Sequence, residues 1–497
     1  MTRRHCVRFF SVLMFLLPMV ARAHVGNKDV FVELQPGPYK LFVTIRPPMV
    51  IPGVATVEVR SSGPKLSSIR ITPVPMIGEA SKHPPTPDAM KRSTDDPAFF
   101  TGSLWLMGSG SWKVQLALEG AEGNASASVP VPAMALSVMR MNRSLGLLLA
   151  ALGVSLVLGI VGIVAAASRE SRLAPGEAPD VSRKRHAIVM GAVAFVVVIA
   201  AILLGARWWN VEAADYASYV FRPLGLTPLL RGNTLDLQMG NFTTENVRRN
   251  RVSTDLLPDH GHLMHLCAIR EPGMDAVFHL HPAPVAPGKL SMQLPAMPPG
   301  HYRLFGDIVH RNGLPETLTA ALDIPAGFKG GKLDPEDAEA APPALDVGEL
   351  GPVDKLPDGY SMVWDRPAML VANQPTIFRF HLLNVQGEPA SDVVPYLGMA
   401  GHAAFVKTDL TAFAHTHPES SAPMLSMMVA NDGATPDATS DMSVQGMGAM
   451  DGVKADTIVS PTVEFPYGFP SSGRYRIFVQ MKHGGTVETG VFDAEVR

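Results

Sequence analysis

The residues able to do chemistry here are histidines that recur. One stretch holds His265, then the pair His279 and His281 before Pro282, then His310; another holds His402, then His415 and His417 before Pro418, then His483. The leading histidine precedes the pair by 14 residues in the first stretch and by 13 in the second. In a β-strand, residues i and i+2 face the same side, so each pair projects both imidazoles together. The leading histidine is expected on the preceding strand of a hairpin and the trailing one on a later strand. Two or three imidazoles meeting on one patch suit Cu(II), Zn(II) or Ni(II), and a thioether beside them favours copper, Cu(I) above all. Met292 and Met427 recur with the histidines, in Leu290-Ser291-Met292 and Leu425-Ser426-Met427. His260 and His262 extend the first set and have no full match in the second copy. A second use stays open: a His-x-His-Pro at a strand end can bond backbone carbonyls and fix a turn.

Other candidate ligands stand apart from the repeat. His24 follows Ala21-Arg22-Ala23, and cleavage there gives an N-terminal histidine whose amine and imidazole form a ready Cu(II) chelate. His83 is the other histidine in that region and the expected partner. Met442, Met447 and Met450 sit in a low-complexity insert, 430–453, suited to Cu(I) capture. Cys267 lies two residues from His265 but has Ala404 at its counterpart, so a buried free thiol is expected.

The elements that must position these groups are mostly strands. The chain has 497 residues, 46% hydrophobic and 18% charged, which predicts about three domains and some apolar segments outside an ordinary soluble fold. Residues 1–23 read as a secretory signal. Ser144–Ala167 and Ala187–Ala206 carry no charge and are each long enough for a membrane helix. The loop between them, 168–186, holds Arg169, Arg172, Arg183, Lys184 and Arg185, which places it in the cytoplasm by the positive-inside rule. The large flanking regions then face outward, the periplasm of a bacterium with an inner membrane. Residues 24–140, 208–325 and 358–497 read as three Ig-like or cupredoxin-like β-sandwich modules, with 326–357 as a linker. The fold class is mainly β with a two-helix transmembrane hairpin. A formal charge of -3 argues against nucleic acid as a partner.

The first module, with His24, Trp105-Leu106-Met107 and Gly110-Ser111-Trp112, resembles the CopC-like, FixH-like and YtkA-like group of exported β-sandwiches. The repeats, with Met399-Ala400-Gly401-His402 and Phe413 to Pro418, resemble secreted domains associated with heavy-metal binding. The resemblance implies periplasmic copper binding or delivery, with a cuproprotein or an oxidase-assembly partner as recipient and zinc as the other candidate ion. No Gly-x-Ser-x-Gly elbow, phosphate loop or His-Glu-x-x-His occurs, so a non-enzymatic role is expected. The alternative is a metal-free scaffold binding a protein partner in the envelope.

Overall fold

The computed structural model describes residues 24–25, 29–171, 173–174, 176–240, 253–432 and 457–497. The expected signal segment and the loop methionines Met442, Met447 and Met450 lie outside these residues. The chain is mainly β, with two long apolar helices, and divides into two compact units.

One unit, 49–51 with 134–222, holds the helices. Helix α1 runs Arg143–Glu170 and α2 runs Val181–Ser218, and the most apolar 18-residue stretches within them reach mean hydropathies of 2.8 and 3.1. Both are long enough and apolar enough to cross a bilayer. The Asn142 carboxamide accepts from the Ser144 N–H and the Asp180 carboxylate from that of Arg183, capping each start. The second helix outruns its expected end at Ala206. Its Trp208-Trp209 and Glu212 to Ala217 stretch holds no Gly or Pro to break the ladder. The next strand begins at Leu226, not near 208.

The other unit contains three sandwiches. In the first, a five-stranded sheet (Val30–Leu34, Lys40–Arg46, Gly53–Ser62, Phe99–Leu106, Lys91–Arg92) accompanies a four-stranded one (Gly123–Ala133, Gly110–Gly120, Leu66–Pro75, Asp88–Ala89). Strict alternation explains the burial: Ala55, Val57 and Val59 point inward along one strand. The second and third sandwiches each pair a small four-stranded sheet with a six-stranded one. In the second, the large sheet orders Leu256–Leu257, Gly300–His310, His265–Glu271, Val277–Leu280 and Ala338–Ala340, with Pro315–Ile324 also on the Gly300 strand. In the third it orders His24–Val25, Ala412–Thr416, His402–Lys407, Gly473–His483 and Val393–Val394, with Thr486–Val496 on the Gly473 strand.

The outer faces of these two large sheets pack on each other. Phe305 and Phe413 stack with centroids 4.3 Å apart and planes 3° from parallel. Cys267, Ile269, Val277, Val406, Phe478 and Val491 complete this apolar layer. Beside it Arg476 and Asp493, both 0% exposed, form an ion pair at 2.8 Å. The same guanidinium donates to the carbonyls of Met274 and Pro343 across the interface.

Three expectations are corrected. The segment 326–357 is no free linker: Ala338–Ala340 adds a strand to the second sandwich and Val353–Lys355 one to the third. Asp337 anchors it by accepting from the His281 N–H. Leu290–Met292 lies on the strand Lys289–Gln293, but Leu425–Met427 lies in helix α3, Met424–Asp432, so the two are not equivalent. Docking decides that helix: Leu425, Val429 and Ala430 bury against Met76, Leu257 and Val309, while the Ser426 hydroxyl donates to the Gly313 carbonyl. Finally, His24 pairs in parallel with Ala412, on the third sandwich rather than the first, covering a sheet edge.

Candidate metal centre

Strand alternation carries the apolar layer straight into a histidine cluster. Along the His265 strand, residues 265, 267 and 269 share a face, and Cys267 and Ile269 lie in the layer between the sandwiches. The same count puts His279 and His281 beyond Val277, His402 beyond Val406, and His415 and His417 beyond Phe413. Both copies therefore aim their histidines at the same interface. What reads in sequence as two patches is one buried chamber.

The first group comprises His265, His279 and His281, with one nitrogen of each within 4.8 Å of the others. Their protonation follows from their outer partners. The His265 Nε2 faces the Asp259 carbonyl at 3.1 Å, which can only accept, so Nδ1 is bare. The His279 Nδ1 lies 2.8 Å from the Gln480 Oε1 and 3.4 Å from the Tyr396 hydroxyl, whose own proton goes to the Glu336 carbonyl. Nδ1 therefore carries the proton and Nε2 is bare. The His281 Nδ1 donates to the Asp337 Oδ1 at 2.9 Å, an oxygen that also accepts the His281 N–H, which leaves Nε2 bare. The bare nitrogens meet: His279 Nε2 and His281 Nε2 each lie 3.2 Å from His265 Nδ1. Three lone pairs converge with no proton between them. Nitrogens held about 2.0–2.1 Å from one ion at tetrahedral to trigonal angles lie about 3.3–3.6 Å apart, close to this spacing.

The second group is His260, His402 and His417. Ring centroids lie 5.1, 5.0 and 4.9 Å apart for 260–402, 402–417 and 260–417. His402 is 0% exposed and neither of its nitrogens has a hydrogen-bond partner. No well-formed hydrogen bond reaches the His260 or His417 rings, where only the backbone of Leu397 and Ala422 exerts a weak pull. Unpaired buried nitrogens of this kind are costly unless something binds them.

Two further rings flank these groups. His415 sits between them, and its Nε2 is buried without a partner. His262 stacks on His281 at 4.2 Å and pairs with Glu336 at 3.2 Å, nearer to solvent.

Burial sets the electrostatics. It drives His265, His281, His402 and His417 far below the ordinary imidazole range, with neighbouring rings reinforcing it. For the same reason His279 falls to about 3, and His260 is also lowered. These rings are neutral, as metal ligands must be. Burial pushes the Cys267 thiol up, which disfavours a thiolate. Burial, then the Asp334 charge, raises Asp337 to about 7.

The remaining candidates lie elsewhere. His310 is clamped by Asp255 at 2.7 Å and Glu316 at 2.9 Å. His483 sits between Asp358 and Asp392 and stacks on Tyr360, with Glu488 close by. Register makes these triads equivalent, since Leu256 pairs with His310 as Val393 pairs with His483. The fourth repeated histidine thus lies among carboxylates outside the chamber, and in the third sandwich Asp358, His483 and Glu488 bring ligand atoms within 4.8 Å of one another, a further group able to hold a metal ion. Met292 packs at the edge of a sandwich core and Met427 lies half-buried on α3. His83 stands exposed beside Glu79, and the His24 side chain lies outside the described residues.

Sequence reasoning missed Gln480, Asp337, Tyr396 and the Asp259 carbonyl as orienting groups. One signal existed: Asp307 and Gln480 hold equivalent places, opposite His265 and His402. Each reaches a histidine of the other sandwich, Asp307 lying 3.5 Å from His415 as Gln480 holds His279.

A family described as Domain of unknown function (DUF8832) matches residues 229–325 and 354–497, which span the two sandwiches around the chamber. No curated protein matches the chain. Among solved structures, an engineered protein is 18% identical over 20% of this chain and 20% of its own length, at TM-score 0.15. A tetra-tandem repeat from the extending region of a large adhesion protein is 8% identical over 90% of this chain and 71% of its own, at TM-score 0.16. An ICAM-5 ectodomain fragment is 7% identical over 93% and 77%, also at 0.16. Overlaps this low carry no argument about the present chain.

Proposed function

We propose that this is a membrane-anchored copper-binding protein whose sandwiches face the periplasm and which holds, buffers or hands on the ion. The convergence of three bare nitrogens on one point carries the reading. Neutral imidazoles suit copper and zinc alike. The chamber is buried, and a single positive charge is less costly to bury than two, which favours Cu(I). The two apolar helices supply the anchor and fit an inner-membrane site. The role is binding rather than catalysis, and a periplasmic cuproprotein or an oxidase under assembly is the natural recipient. The resemblance of the first module to CopC-like domains belongs to the same proposal.

The test uses the full chain in detergent, stripped of metal and titrated with Cu(I), Cu(II) and Zn(II) against competing chelators. Tight Cu(I) binding is expected, weakened by at least about 100-fold at the first group in a His279→Ala/His281→Ala variant. Failure of the unaltered chain to retain any of the three ions refutes the proposal and leaves the metal-free scaffold.

A further inference from the structure

The duplication is imperfect where it matters. Asp259 and His262 exchange backbone hydrogen bonds around His260-Gly261, and Tyr396 and Met399 do the same around Leu397-Gly398. The φ values match: 52° and 86° in the first turn, 50° and 80° in the second. His260 is therefore the counterpart of Leu397. It leans out of its own sandwich to complete the His402–His417 group of the other.

This frees His415. As the counterpart of His279 it belongs by symmetry with His402 and His417, yet His260 fills that third place. The His415 ring instead lies 5.4 Å from His265 and 5.2 Å from His279 on one side. On the other it lies 5.5 Å from His402 and 4.9 Å from His417. Its Nδ1 faces Asp307, and its buried Nε2 is unpartnered. The direct spacings between the groups are also short, 5.9 Å for His260–His265 and 6.4 Å for His265–His402.

Resting on the copper reading above, we propose that the chamber is a two-ion site. One ion sits on His265, His279 and His281 and a second on His260, His402 and His417, with His415 as the neighbour both can draw on. Asp307 beside His415 supplies negative charge that offsets the second cation. Because each sandwich lends a side chain to the other's site, loading both ions joins the two.

The full chain in detergent is loaded with copper and its stoichiometry measured, alongside His260→Leu and His281→Ala. The first variant copies the residue that the equivalent turn already holds at Leu397, so it keeps the fold. Two ions per chain are expected in the unaltered protein and one in each variant. After oxidation, paired Cu(II) ions give a broadened or weakened paramagnetic resonance signal, and each variant gives one full-intensity mononuclear signal. A single ion in the unaltered chain, two ions in His260→Leu, or identical spectra in all three overturns the two-ion site while leaving copper binding intact. No ion at all overturns the copper reading instead.

Discussion

Acidification measures how well the chamber excludes water. Burial holds His265, His281, His402 and His417 far below the ordinary range and His279 at about 3. An unfolded histidine titrates near ~6.5. Between about pH 7.5 and about pH 5.5 the unfolded chain takes up protons that the folded chain refuses. Stability is therefore greatest above the unfolded value and erodes as pH falls toward the folded one. Each such ring costs about 1.4 kcal/mol by about pH 5.5, the value of RT ln(1 + 10). The five rings together cost at most about 7 kcal/mol, against a typical total stability of about 5–15 kcal/mol. His310 runs the other way: burial opposes its charge, but the hydrogen bonds to Asp255 and Glu316 outweigh burial and raise it to about 9. Its contribution is complete only below ~6.5 and is lost as pH rises through 9, so between about pH 7.5 and about pH 5.5 it grows by about 1.4 kcal/mol and offsets one ring's share of the acid loss. The assay is urea unfolding of the metal-stripped chain in detergent, with hydrogen exchange followed along His265–Glu271 and His402–Lys407. A loss of several kcal/mol over those two pH units is expected. A loss below about 1.4 kcal/mol means that the folded rings take protons freely, and the dry chamber is refuted.

Two further perturbations separate architecture from site. Arg476→Ala takes from the buried Asp493 its bidentate partner and leaves only Arg474 and the Leu350 N–H on one carboxylate oxygen, and stability should fall by up to about 3 kcal/mol in the same unfolding assay. Arg379→Ala, which removes an exposed pair with Glu464, should cost less than about 1 kcal/mol. Gln480→Leu removes the oxygen that fixes the His279 tautomer, and copper affinity in chelator competition should fall about 10–100-fold without a comparable loss of stability.

Much of this was legible because strands repeat every two residues. The pairs 279/281 and 415/417 face one way for that reason alone, and the uncharged runs near 144–167 and 187–206 do become helices. What the pattern could not convey was depth. A histidine clamped by acids looks the same in sequence as one aimed at a metal. Asp255 and Glu316 meet His310 only after the sheet brings its edge strand alongside. The helix at Met424–Asp432 was hidden because Leu425-Ser426-Met427 copies the letters of a strand, and only its docking against Leu257 and Val309 settles its form.

The duplicated sandwiches also explain why the chamber exists at all. A sheet that turns its outer face to water alternates polar residues there; these two sheets alternate Phe, Val, Cys and His, and so must be covered. Packing one copy against the other covers both at once and brings equivalent residues face to face. Histidines useful as a modest patch on one sheet become, through that contact, a closed set of seven. Divergence then acts on a symmetric object: His260 against Leu397 and Asp307 against Gln480 make the two halves unequal. On the two-ion proposal, unequal halves would bind their ions with different strength, one site filling first and the other exchanging more readily.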